Sequence, residues 1–117
     1  MLTPFGKKIR KFRIDKGVRM ADMAEYLQMP ASYLSAIEHG KKPIPEYMVN
    51  RVSAYFEDFA FSKKRWRKLA DKSVTAIKID LTDANEMERQ ICLKIAREIK
   101  GFSKQKKKAL LRLLEEV

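Results

Sequence analysis

The sequence predicts a mainly α protein: a run of helices to about residue 72, then one strand and two amphipathic helices. Three observations carry that prediction. Apolar residues recur three, four and seven apart in one segment after another, the spacing of a single helix face. Helix-starting and helix-stopping residues (Thr3-Pro4, Gly17, Pro30, Gly40, Ser103) fall between those segments rather than inside them. Only one stretch, residues 75 to 81, alternates with period two.

Thr3 suits the cap of a first helix and Pro4 its first position. Phe5, Ile9 and Phe12 give that helix an apolar face, Lys7, Lys8, Arg10 and Lys11 surround it, and Gly17 is a C-terminal stop. Residues 20 to 42, MADMAEYLQMPASYLSAIEHGKK, read as two short helices joined by a tight turn. Met20, Met23 and Leu27 share one face of the first, and Leu34 and Ile37 share one face of the second. Pro30 cannot continue the first helix, and Gly40 offers the left-handed residue that often closes the second. After the stiff loop Lys41-Lys42-Pro43-Ile44-Pro45, Pro45 is expected to open a helix with Val49, Val52 and Phe56 in a row that Phe59 continues. A further helix, roughly 62 to 71, carries Trp66, Leu69 and Ala70 among Lys63, Lys64, Arg65, Arg67 and Lys68; Trp66 is expected in the core or at an interface.

The texture changes at Ser73. Thr75, Ile77, Ile79 and Leu81 alternate with Ala76, Lys78 and Asp80, the pattern of a strand. A lone strand has unpaired edges, and pairing with the same strand of a second copy would satisfy them. That reading assigns Ile77, Ile79 and Leu81 to dimerisation; the plain alternative is an extended segment packed on its own helices. Asp83-Ala84-Asn85-Glu86 resembles a capping box for a long helix in which Met87, Ile91, Ile95 and Ile99 step by four. Gly101 punctuates, and Ser103 can cap a last helix with Leu110, Leu113, Leu114 and Val117 as its apolar face. Lys104 and Lys106 to Lys108 stand at its first turns, the unfavourable end for positive charge. The organisation is therefore residues 1–72 and an extension, 73–117.

Net charge is +11 with 35% of residues charged. Residues 1–72 hold 16 Lys and Arg against 8 Asp and Glu, whereas 73–117 hold 10 against 7. The N-terminal part is thus the candidate for a polyanionic partner. A single cysteine, Cys92, excludes an intrachain disulfide and fits a reducing compartment. The N-terminus lacks the apolar stretch of a signal peptide, and no apolar run reaches the roughly 18 residues of a membrane span. A soluble cytoplasmic protein is expected, with no membrane association. One histidine (His39) and one cysteine exclude a His- or Cys-based metal cluster, and four scattered glycines make no phosphate loop. No catalytic residues, metal or cofactor are expected, and no enzyme.

The paired short helices offer more. With Leu34 and Ile37 turned inward, Ala31, Ser32, Ser35 and Ala36 lie outward and Tyr33 sits at the border. Small side chains permit close approach to a groove, serine can bond base edges or phosphate, and an alanine methyl can meet thymine. The segment FGKKIRKFRIDKGVRMADMAEYLQMPASYLSAIEHGKKPIPEYMVNRVSAYF, residues 5 to 56, resembles the Cro/phage-repressor (XRE-like) helix-turn-helix family, most specifically in LSAIEHGKKPIP. The resemblance implies a five-helix repressor-like domain that binds operator DNA as a dimer. It implies an ion pair between an arginine of the first helix and the glutamate ending the third, here Arg13 and Glu38. A buried glutamate needs a multi-donor partner, which arginine supplies better than lysine.

By position, the resemblance places base reading at Ala31, Ser32 and Ala36, a further contact at Met20, and phosphate contacts at Lys41 and Lys42, with His39 and Asn50 beside them. The chain departs from the family where Arg19 and Pro30 stand for Ser or Thr, Met20 for glutamine and Gln28 for glycine. Arg19 is expected to clamp a phosphate or enter a groove, and specificity is expected to rest on Arg19, Ser32, Tyr33 and Ser35 together with DNA shape. The expected function is a sequence-specific regulator of transcription, a repressor acting as a homodimer on double-stranded DNA. The alternative is an antitoxin-like module whose C-terminal region holds a protein partner and whose DNA binding serves autoregulation. A third reading is binding to RNA or to nucleic acid without sequence preference.

Overall fold

A computed structural model describes residues 1–116 and divides the chain into two compact units, Met1–Ile77 and Lys78–Val117. Among the described residues there are seven α-helices and no strand. The first unit holds α1 (Pro4–Lys16), α2 (Met20–Tyr26), α3 (Ala31–Glu38), α4 (Met48–Tyr55) and α5 (Lys63–Lys72), with a 3-10 turn at Glu57–Phe59. The second holds α6 (Glu86–Glu98), a 3-10 turn at Ile99–Gly101, and α7 (Lys104–Glu115).

Local chemistry sets most of the ends. The Thr3 hydroxyl accepts the Gly6 N–H at 3.1 Å, and Gly17 ends α1 in the left-handed region at φ 73°. Between α2 and α3, Gln28 adopts φ 58°, a conformation that costs a residue with a Cβ roughly 1–2 kcal/mol. The turn holds it there: the Met29 N–H reaches back to the Ala24 carbonyl at 3.0 Å. Ser62 caps α5 and Ser103 caps α7, each accepting a backbone N–H three residues on.

The core of the first unit takes Phe5, Ile9 and Phe12 from α1, Met23, Ala24 and Leu27 from the α2 segment, and Leu34 and Ile37 from α3. Met48, Val49, Val52 and Phe56 join from α4, and Trp66 and Ala70 from α5. Phe12 lies edge-on to four rings, those of Phe56, Phe59, Phe61 and Trp66, with centroids 4.7 to 5.5 Å away. Trp66 is fully buried among these rings, and its indole N–H has no hydrogen-bond partner among the described residues.

Three expectations are corrected. The helix expected to open at Pro45 begins at Met48, because Pro45 starts a turn whose carbonyl accepts the Met48 N–H at 3.0 Å. The strand expected at 75–81 is absent. Residues 75–80 form neither helix nor strand and have no ladder partner, with Ile77 and Ile79 80% and 60% exposed, and alternation without a second strand gives no sheet. The basis for pairing copies through Ile77, Ile79 and Leu81 as strands falls with it. The capping box sits two residues later than expected. Ala84 closes a turn on the Leu81 carbonyl, so Asn85 becomes the cap and exchanges 2.8 Å bonds with Glu88.

In the second unit Arg89 braces that turn, donating to the carbonyls of Ala84 and Leu81 at 2.8 and 2.7 Å. No described residue of this unit is buried; Leu81, Ala84, Cys92, Ile95, Phe102 and Leu110 are half-buried. Val117, expected on the last apolar face, lies outside the described residues.

Candidate nucleic-acid interface

Glu38 fixes the end of α3 against α1. Its carboxylate accepts a 2.6 Å bond from Arg13, with both side chains buried. Its backbone carbonyl accepts the Thr3 N–H at 3.0 Å and the Thr3 hydroxyl at 3.2 Å. The helices approach so closely here that a Cβ on Gly6 would overlap the Glu38 carbonyl. A buried charge pair is weak evidence for stability, but losing one partner strands the other. The pair and the close approach together set where α3 lies.

From that anchor α3 presents its outer side. Leu34 and Ile37 are buried; Ala31 and Ser32 are exposed; Tyr33, Ser35 and Ala36 are half-buried at the edge of the same side. Pro30 precedes the helix and supplies no side-chain cap, so the first-turn N–H groups of Ala31 and Ser32 have no side-chain partner there. At the other end the chain folds back. The Lys41 and Lys42 N–H groups both reach the Ala36 carbonyl, at 2.8 and 3.3 Å, and Gly40 holds the bend at φ 72°. This brings two exposed lysines beside the small-residue face. His39 is half-buried, its Nδ1 2.8 Å from the Ser35 carbonyl one turn back, and Asn50 is exposed on α4.

Arg19 and Met20 stand at the start of α2. Met20 is half-buried against the core. Arg19 is exposed, yet its guanidinium already meets Asp22, at 3.1 and 3.3 Å, while its backbone N–H donates to the same carboxylate at 3.0 Å. The guanidinium hydrogen bond holds the Asp22 carboxyl below the usual carboxylate range, and the same bond raises the arginine. An anion approaching Arg19 competes with Asp22.

Several residues that hold this face were not singled out in the sequence. Gly6 has no local signal, since its role depends on a helix 32 residues away. The Ser73 hydroxyl accepts the buried Phe5 N–H at 2.9 Å and donates to the Leu69 carbonyl at 2.7 Å. Thr75 donates to the Gly40 carbonyl at 2.9 Å, so both residues belong structurally to the first unit.

Residues 9–57 match a family model described as helix-turn-helix. This segment belongs to the Cro/phage-repressor (XRE-like) helix-turn-helix family. In that frame α2 and α3 are the two helices of the motif, and the match supports a DNA-binding regulator. Neither curated proteins nor solved structures gave a match. Among the described residues, no helix of the helix-turn-helix unit or of the extension is long and apolar enough to cross a membrane, and no group of His, Cys, Asp and Glu could hold a metal.

Proposed function

We propose that the protein is a cytoplasmic, sequence-specific repressor that binds double-stranded DNA as a homodimer and acts by occluding its operator. The observation that carries this reading is the outer side of α3. It is built mostly of small alanine and serine side chains, anchored at one end by Glu38, uncapped at the other, and flanked by two exposed lysines. Laid in a major groove, Ser32 and Ser35 would bond base edges, and Ala31 and Ala36 would meet thymine methyls. Tyr33 and Met20 would border the groove, while Lys41 and Lys42 would neutralise phosphates. Arg19 would exchange Asp22 for a phosphate. Few hydrogen-bonding readers stand on this helix, so DNA shape and half-site spacing would supply much of the discrimination.

The test is a selection of duplexes from a random pool followed by footprinting. The reading expects two protected half-sites about one helical turn apart, centre to centre, or a multiple of it, and no enrichment by the Ser32→Glu variant. Enrichment of the same sequences by that variant would reject docking through α3.

A second reading is favoured by the exposed apolar side chains of α6 and α7. On it the extension binds a protein, antitoxin-like, and DNA binding is autoregulatory. A stoichiometric small partner, captured by the full chain and lost on deleting residues 78–117, would favour it. A fully salt-dependent affinity with no sequence preference would favour the non-specific reading instead.

A further inference from the structure

Among its described residues the second unit has helices but no interior. Met87 and Ile91 on α6 are 69% and 53% exposed, and Leu113 and Leu114 on α7 are 63% and 75% exposed. Helices of 13 and 12 residues are marginal in water on their own, and a unit of this size without a core does not hold itself together. We infer that this surface is the interface between two copies of the chain, with α7 of one copy packed antiparallel against α7 of the other. The inference rests on the homodimer reading above and gives it a surface and a direction.

The direction comes from the order of charge along α7. Its first turns carry Lys104, Lys106, Lys107 and Lys108, and its end carries Glu115 and Glu116. Each cluster stands at the end where the helix dipole disfavours it, so the arrangement does not serve the isolated helix. Lys107, Leu110 and Leu114 follow one another down the centre of one face at three- and four-residue steps. Lys104, Lys108, Leu111 and Glu115 run down one flank of that face at steps of four, three and four.

Parallel pairing would crowd the two lysine-rich starts together at one end and the two glutamate ends together at the other. Antiparallel pairing about a two-fold axis near Leu111 and Arg112 packs the leucines together and sets each Lys108 beside Glu115 of the other copy. The charge order is complementary to itself reversed, which is why a second copy fits it better than an unrelated protein. Within one helix Lys108 and Glu115 are seven residues apart, roughly 10 Å along the axis, so they are not intrahelical partners.

The test is sedimentation equilibrium on the full chain. Wild type is expected to reach twice the chain mass, and Leu114→Glu to weaken association by at least roughly tenfold by placing charge in the apolar centre. Lys108→Glu and Glu115→Lys are each expected to weaken it by about fivefold, because two symmetry-related pairs turn repulsive. An equimolar mixture of these two variants, or the double variant, is expected to recover wild-type association. Ser32→Glu is expected to remain dimeric. A dimer that survives Leu114→Glu would overturn this surface while leaving the homodimer reading intact. Failure of the mixture to recover would overturn the antiparallel arrangement. A wild type monomeric at every concentration would overturn both, and mass gained only with another protein would favour the antitoxin-like reading.

Discussion

Residues 1–77 bury fourteen apolar side chains, whereas the described residues of 78–117 bury none. Both units contain amphipathic helices, and α6 and α7, like α1, each begin at a side-chain N-cap. The difference lies in what crosses between helices. Ten of the eleven aromatic residues belong to the first unit, where Phe5, Phe56, Phe59 and Phe61 gather around Phe12 and Trp66; the second has only Phe102. The first unit is also stitched by bonds between residues far apart in sequence, Arg13 to Glu38, Phe5 to Ser73 and Thr75 to Gly40. Amphipathic periodicity makes a helix; large side chains and long-range polar bonds make a core. A unit with the first and without the second presents its apolar faces outward.

The largest effect expected from this contrast is at Glu38. Glu38→Ala leaves Arg13 buried without a partner and is expected to cost about 3–5 kcal/mol in urea unfolding. Replacing both members by apolar residues should cost less than that single change, and equal losses would show that the pair itself contributes net stability. Gly6→Ala comes next. The new methyl has only the Glu38 backbone to displace, and overpacking of this kind costs about 1–3 kcal/mol. A wild-type melting temperature for Gly6→Ala would mean that the α1–α3 approach is looser than described. Gln28→Gly is expected to act in the opposite direction, stabilising by about 0.5–1 kcal/mol because glycine takes positive φ without strain. The smallest effect belongs to the second unit. Leu114→Ala is expected to leave the unfolding of the first unit within about 0.5 kcal/mol at concentrations where the chain is monomeric, and a larger loss would break the contrast.

What could be read from sequence follows the same division. As caps and stops, Thr3, Gly17, Gly40 and Ser103 act within a turn of their own position, so these ends are legible. The inward turn of Leu34 and Ile37 follows from period alone, and with it the outward turn of Ala31 and Ser32. Arg13 and Glu38 are 25 residues apart, and the family resemblance rather than any spacing brings them together. Nothing local marks Gly6, Ser73 or Thr75, because each acts on a residue that only the tertiary fold delivers. The segment after Thr75 misleads for the complementary reason: alternation reports the side-chain pattern a strand needs, while a strand also needs a neighbour. Asn85 and Asp83 both fit the capping pattern, and the Leu81–Ala84 turn decides between them.

Arg13, Glu38 and Gly6 hold α3 in place, and the functional claim is that α3 is held there to read DNA. The most direct measurement is a fluorescence anisotropy titration of wild type and Ser32→Glu against a duplex selected from a random pool by the wild type. Ser32 is exposed and makes no side-chain bond among the described residues, so the folded unit should be unchanged, with an equal melting temperature as the check. A loss of affinity of at least about a thousandfold is expected, the lower end of the ratio between specific and non-specific binding. Equal affinity for the two proteins would contradict it.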